Sequence, residues 1–193
     1  NEQSEILYLS RCPDVINAQE GFFDVESVWP KLEQALRQAI SNLVAMRETE
    51  GSNIYGDFIK RADLIAEKLA VIEERSPQVV EEYQTRLSDR INELLAKHNQ
   101  VIEPERLLQE VAIFADRTSI TEEIVRLKSH IKQFRLIIDA DQPVGRKLDF
   151  LIQEFNREAN TIASKANDYT LAQVVVEIKA EIEKIREQIQ NIE

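Results

Sequence analysis

Apolar residues return every three or four positions through nearly the whole chain, and two-residue alternation is absent after residue 20. Leu32, Leu36, Ile40, Leu43 and Val44 show this spacing early, and Val175, Ile178, Ile182, Ile185, Ile189 and Ile192 show it at the end. A period near 3.6 places one apolar stripe on each helix, so the core has to form between helices. Only 4 glycines and 5 prolines interrupt 193 residues, which allows long helices and few turns. At 43% apolar and 31% charged residues, the chain has enough apolar surface to fold and does not read as disordered. No apolar run reaches the roughly 18–20 residues of a membrane span.

Turn residues divide the pattern. Residues 5–16, EILYLSRCPDVI, read as a strand or an extended tail. The chain begins at Asn1 without methionine, so we expect residues 1–22 to be the extended tail of a preceding domain and 23–193 a helical domain. A helix is predicted from Asp24 or Ser27, with Pro30 in its first turn and Gly51 as its stop. Others are predicted over 54–75, ended by Ser76-Pro77, over 77–98, and from Pro104 through Phe114. Ser119-Ile-Thr-Glu122 has capping-box spacing ahead of a helix to Ile138, and helices from Gly145 and from Tyr169 complete the chain. The expected fold is all-α: long antiparallel helices forming an elongated bundle. The 3-4-3-4-3 seam from Val175 to Ile192 reads as an intramolecular contact or, alternatively, as a subunit interface.

Cys12 is the single cysteine, which excludes an internal disulfide and fits a reducing cytoplasm; a small buried side chain is the plainer reading than a reactive thiol. No cysteine or histidine stands at metal-finger spacing, and there is no glycine-rich phosphate loop. A net charge of −11 argues against a generic nucleic-acid binder. Residues 117–165 differ, with nine Lys/Arg against seven Asp/Glu.

Residues 145–168 form three faces when plotted at about 100° per residue. Leu148, Leu151, Ile152, Phe155, Ala159, Ile162, Ala163 and Ala166 make the apolar one. Lys147, Glu154, Glu158, Thr161 and Lys165 resemble an ordinary solvated surface. The third gathers Arg146, Asp149, Gln153, Asn156, Arg157, Asn160 and Ser164, a stripe suited to phosphates, riboses and base edges, or else a polar seam between helices. Arg146 and Lys147 stand against the helix dipole, an arrangement that a bound phosphate or a neighbouring acid would relieve. Lys128, Lys132 and Arg135 form a basic stripe with no acid on their own face, beside Glu122, Glu123, Arg126 and His130. His130 is a candidate for proton transfer, although a lone helical histidine is more often structural; His98 is read as a helix-end cap. Glu154 and Glu158, at i and i+4, are spaced to reach one divalent ion, against the plainer reading of two solvated acids.

QPVGRKLDFLIQEFNREANTIASKAND (142–168) followed by VVEIKAEIEKIREQIQNIE (175–193) resembles the closing segment of the YicC/YloC family. ADRTSITEEIVRLKSHIKQF (115–134) and MRETEG (46–51) resemble its other signatures. The sequence departs from the pattern at Phe155 (methionine expected), Ala163 (glycine expected) and Ser119 (an acid common). The resemblance implies the C-terminal helical part of a bacterial cytoplasmic endoribonuclease, aided by manganese or magnesium and assembled as a hexamer; some members are labelled stress-induced proteins. We expect no organic cofactor and no membrane association.

Two functions remain open. One is metal-assisted cleavage of single-stranded or structured RNA. In it His130 and Glu123 are catalytic candidates and Glu123, Glu154 and Glu158 metal ligands. Arg126, Lys128, Lys132, Arg146, Lys147, Asn156, Arg157 and Asn160 then hold the RNA. The other is a non-catalytic helical scaffold or adaptor that binds RNA or a nuclease of the RNA-decay machinery.

Overall fold

Helical periodicity is realised across the described residues. The computed structural model describes residues 2–9, 11–12, 25–96, 104–140, 142–190 and 192. The described residues form six helices: α1 (Glu2–Leu9), α2 (Val25–Ala96), α3 (Pro104–Arg117), α4 (Thr121–Ile138), α5 (Gly145–Lys165) and α6 (Tyr169–Ile189). No strand occurs among the described residues. The chain divides into two compact units, Asn1–Thr49 and Glu50–Glu193, and α2 contributes to both.

Within the first unit, Glu2–Leu9 is helical where the sequence suggests a strand or extended tail. The described residues offer no strand for it to pair with, and an unpaired segment closes its backbone hydrogen bonds locally. The apolar row Leu32, Leu36, Ile40 and Leu43 is 50–55% exposed.

Residues 25–96 are one helix of 72 residues, not three. Because α2 begins at Val25, Pro30 lies in its second turn. Gly51 does not end the helix: its backbone is not left-handed, and a Cβ there would meet nothing within 4 Å. Glycine in a helix then costs only about 1 kcal/mol relative to alanine. Pro77 removes one backbone donor, but Arg75 reaches across it to Gln78 at 3.2 Å and to the Glu82 carboxylate at 2.5 and 2.9 Å.

In the second unit α2, α4, α5 and α6 bury a common core that includes Phe58, Leu69, Phe134, Phe155, Ile162 and Ile182. Ion pairs fix their directions. Along α2 and α6, Arg61 meets Glu181 at 2.8 Å and Arg75 meets Asp168 at 2.8 Å, so partner numbers fall as α2 advances. Along α2 and α4, Asp63 meets Arg135 at 2.5 Å and Glu73 meets Lys128 at 2.6 Å in the same descending order. Both neighbours therefore run antiparallel to α2. The seam residues Val175, Ile178, Ile182, Ile185 and Ile189 are all buried within the chain, and Ile192 packs against them. The intramolecular reading of that seam holds. Tyr83 stacks on Phe114 of α3, with ring centroids 3.6 Å apart.

The helix ends obey different rules. The capping box expected at Ser119–Glu122 does not form: Ile120 is the N-cap and no side chain caps it. Ile120 is 1% exposed, so core burial rather than capping positions the start of α4. At α6 the Asp168 carboxylate accepts from the Leu171 N–H at 2.9 Å and also receives Arg75. The Arg75 hydrogen bond outweighs burial and, with the Leu171 N–H, holds the Asp168 carboxyl below its ordinary range.

A depressed folded-state pKa contributes stability above the unfolded value near ~3.9 and loses it as pH falls through the folded value. Asp168→Asn keeps a cap acceptor but removes the charge. Its melting temperature should lie a few degrees below wild type between about pH 5 and 7, and the gap should close as pH falls below ~4. Thermal melts across that range measure it; a gap that persists unchanged at pH 3 contradicts the assignment.

Candidate functional site

Helix α4 turns His130 toward α5, which answers with Glu154 and Glu158 one turn apart. One imidazole nitrogen and one oxygen of each carboxylate all lie within 4.8 Å of one another. Glu158 is only 2% exposed. Its Oε1 sits 3.7 Å from Arg126 and 3.9 Å from Arg157, too far to hydrogen-bond, and is buried without a hydrogen-bond partner. His130 Nδ1 is buried and unpartnered as well. Leaving a buried polar atom unsatisfied costs about 1–3 kcal/mol, so the pocket fits a cation that would take up these lone pairs. His130 lies against Phe155, ring centroids 6.2 Å apart and planes 25° from parallel, which restrains the imidazole. Arg157 holds Glu154 at 3.2 Å, and the Arg157 and Arg126 side chains are 61% and 44% exposed.

The face carrying Glu154 and Glu158 is thus not an ordinary solvated surface. The signal lay in the wheel: Glu158 is seven residues from Leu151 and four from Ile162, about 20° and 40° round the helix and within the apolar arc. The third face is the exposed one. Arg146, Asp149, Gln153, Arg157, Asn160 and Ser164 are open and Asn156 half-buried, so this stripe is not a seam between helices. The apolar face is buried as expected from Leu148 to Ile162, whereas Ala163 is exposed.

Glu123 stands apart from the three-residue cluster. It is 5% exposed and its Oε1 accepts from Lys165 at 2.7 Å. Burial raises the Glu123 carboxyl, but the Lys165 hydrogen bond, a backbone hydrogen bond and the charges of Lys165 and Arg126 together hold it below its usual value. The basic stripe of α4 finds its acids on α2: Lys128 pairs with Glu73 and Arg135 with Asp63, while Lys132 is exposed. Arg126 pairs with Glu122. Arg146 and Lys147 are exposed at the start of α5, where no side chain caps the helix, and have no acid partner among the described residues. They border a groove of about 490 Å³ that also touches His130, Phe150 and Glu154. His98 and its expected cap lie outside the described residues.

An all-helical protein with an imidazole–carboxylate cluster beside two unopposed cations is the class these features define. Residues 72–193 match the family model described as endoribonuclease YicC-like, C-terminal, and residues 1–56 match endoribonuclease YicC-like, N-terminal region. The chain belongs to this YicC-like family. It is 48% identical over 188 residues to a probable endoribonuclease YicC of Clostridioides difficile (strain 630), covering 97% of this chain and 64% of that relative. A probable endoribonuclease YicC of Haemophilus influenzae is 37% identical over 183 residues, covering 95% of this chain and 62% of the relative. The chain therefore spans somewhat under two thirds of the length of these relatives. Among the described residues no helix is long and apolar enough to cross a membrane.

Proposed function

We propose that the protein is an endoribonuclease of the cytoplasm, assisted by a divalent ion held by His130, Glu154 and Glu158. The observation that carries this reading is the convergence of those three donors within 4.8 Å, two of them with buried unpartnered atoms. One imidazole with two carboxylates suits manganese better than magnesium, which prefers an all-oxygen shell. When bound, the ion supplies charge neutralisation at a scissile phosphate.

The chain's own residues do the rest. Arg146 and Lys147, with the free N–H groups at the start of α5, bind backbone phosphate. The exposed Arg157, Asn160 and Lys132, with Asn156 and Arg126, extend that grip along the strand. Phe155 holds the His130 ring in place. Glu123, neutralised by Lys165, positions α4 against α5 in this reading, and Lys128 stays with Glu73. The exposed apolar row of α2 supports self-association into a homo-oligomer; a monomer by sedimentation would remove that part.

Full-length protein freed of contaminating nucleases should cleave RNA with manganese and stop with a chelator. Replacing both Arg146 and Lys147 with serine should weaken RNA binding similarly for all sequences. It should also flatten the dependence of log affinity on log salt by about 1–2. An unchanged slope overturns the phosphate assignment. RNA bound but not cut under any ion would favour the scaffold function instead.

A further inference from the structure

Phe150 is 65% exposed in the second turn of α5, on the side away from the apolar arc. It is four residues from Arg146 and from Glu154 and three from Lys147, which places each of them within about 60° of Phe150 and all four within about 100° on the helix surface. The same residues border one groove together with His130. A single exposed aromatic is common on soluble proteins. This one lies between two unopposed cations and an acid of the proposed ion site, so a phosphate on Arg146 and Lys147 would bring the adjoining base to the face of its ring.

We propose that Phe150 is a stacking platform for one unpaired RNA base next to the phosphate held by Arg146 and Lys147, and so selects single-stranded RNA. The inference rests on the RNA-binding part of the function proposed above. Stacking uses the π-face that every base has, so it adds affinity without reading sequence. It also requires the base to leave a duplex, which a base-paired strand resists. Charge complementarity commits the groove to a polyanion, and the ring beside it distinguishes a nucleic acid from a plain phosphate.

The test is binding of a short single-stranded oligoribonucleotide to the full-length protein without divalent ions, compared with the same strand in duplex. Phe150→Ala should weaken single-strand binding about five- to a hundredfold and duplex binding far less. Phe150→Trp should retain wild-type affinity, and Phe150→Leu should behave like the alanine variant. The salt slope should match wild type in all three, because no charge is removed. Equal affinities for Phe150→Ala and wild type, or leucine restoring the affinity, overturns the proposal. Because the measurement needs no cleavage, failure of the nuclease reading appears separately, as intact RNA in the manganese reaction.

Discussion

Glu158→Gln in the full-length protein should lower manganese-dependent RNA cleavage at least ~100-fold, with RNA affinity nearly unchanged. The substitution preserves shape and removes charge from a side chain only 2% exposed, whose Oε1 lacks a hydrogen-bond partner. In the absence of metal, a neutral amide avoids the cost of burying an ion, so the melting temperature should hold or rise. Metal separates this from a purely structural role. An ion that binds only the folded protein adds about 2.7 kcal/mol of stability at a hundredfold excess over its Kd. Wild type should gain a clear rise in melting temperature with manganese, and Glu158→Gln and His130→Ala should lose most of it. If the amide melts lower without metal while cleavage and manganese stabilisation persist, the cluster is an ion-pair network with Arg126 and Arg157, and the catalytic site lies elsewhere.

Lys165→Met should markedly destabilise the α4–α5 contact. It leaves Glu123, 5% exposed, without the ammonium 2.7 Å away. Breaking a fully buried pair costs about 3–5 kcal/mol. Lys165 is 36% exposed, so water moderates the loss and about 2–3 kcal/mol is expected. At ~2–4 °C per kcal/mol, the melting temperature should fall by about 4–12 °C. Adding Glu123→Gln should recover most of that loss, since the buried charge is gone. Equal melting temperatures for Lys165→Met and wild type would show that Glu123 is served by Arg126 or by water. Loss of activity in Glu123→Gln without loss of stability would return Glu123 to the catalytic group.

The sequence by itself determined α3, α4, α5 and α6 of the second unit and the core stripes of α5 and α6. The starts of α5 at Gly145 and of α6 at Tyr169 were legible, although the Asp168 cap was not, and the stripe from Leu148 to Ile162 is buried as its spacing requires. These properties are encoded between residues three or four apart, where one side chain's position on a helix predicts the next. The family signatures were legible for the same reason, as contiguous strings. Breaker residues misled: Gly51 and Pro77 look like boundaries, yet α2 passes through both, because a local penalty of a few kcal/mol is small beside the burial of α2 side chains such as Phe58, Ile72 and Val79 in the core. The site was only half legible. Glu154 and Glu158 have ligand spacing in the string of residues, but His130 joins them through the packing of α4 on α5, and Glu123 instead turns to Lys165. The acids that answer the basic stripe of α4 lie on α2, 55 and 72 residues away in sequence. Tertiary structure decided which polar edges meet, because that choice depends on burying all four helix stripes at once, and no periodicity within a single helix encodes it.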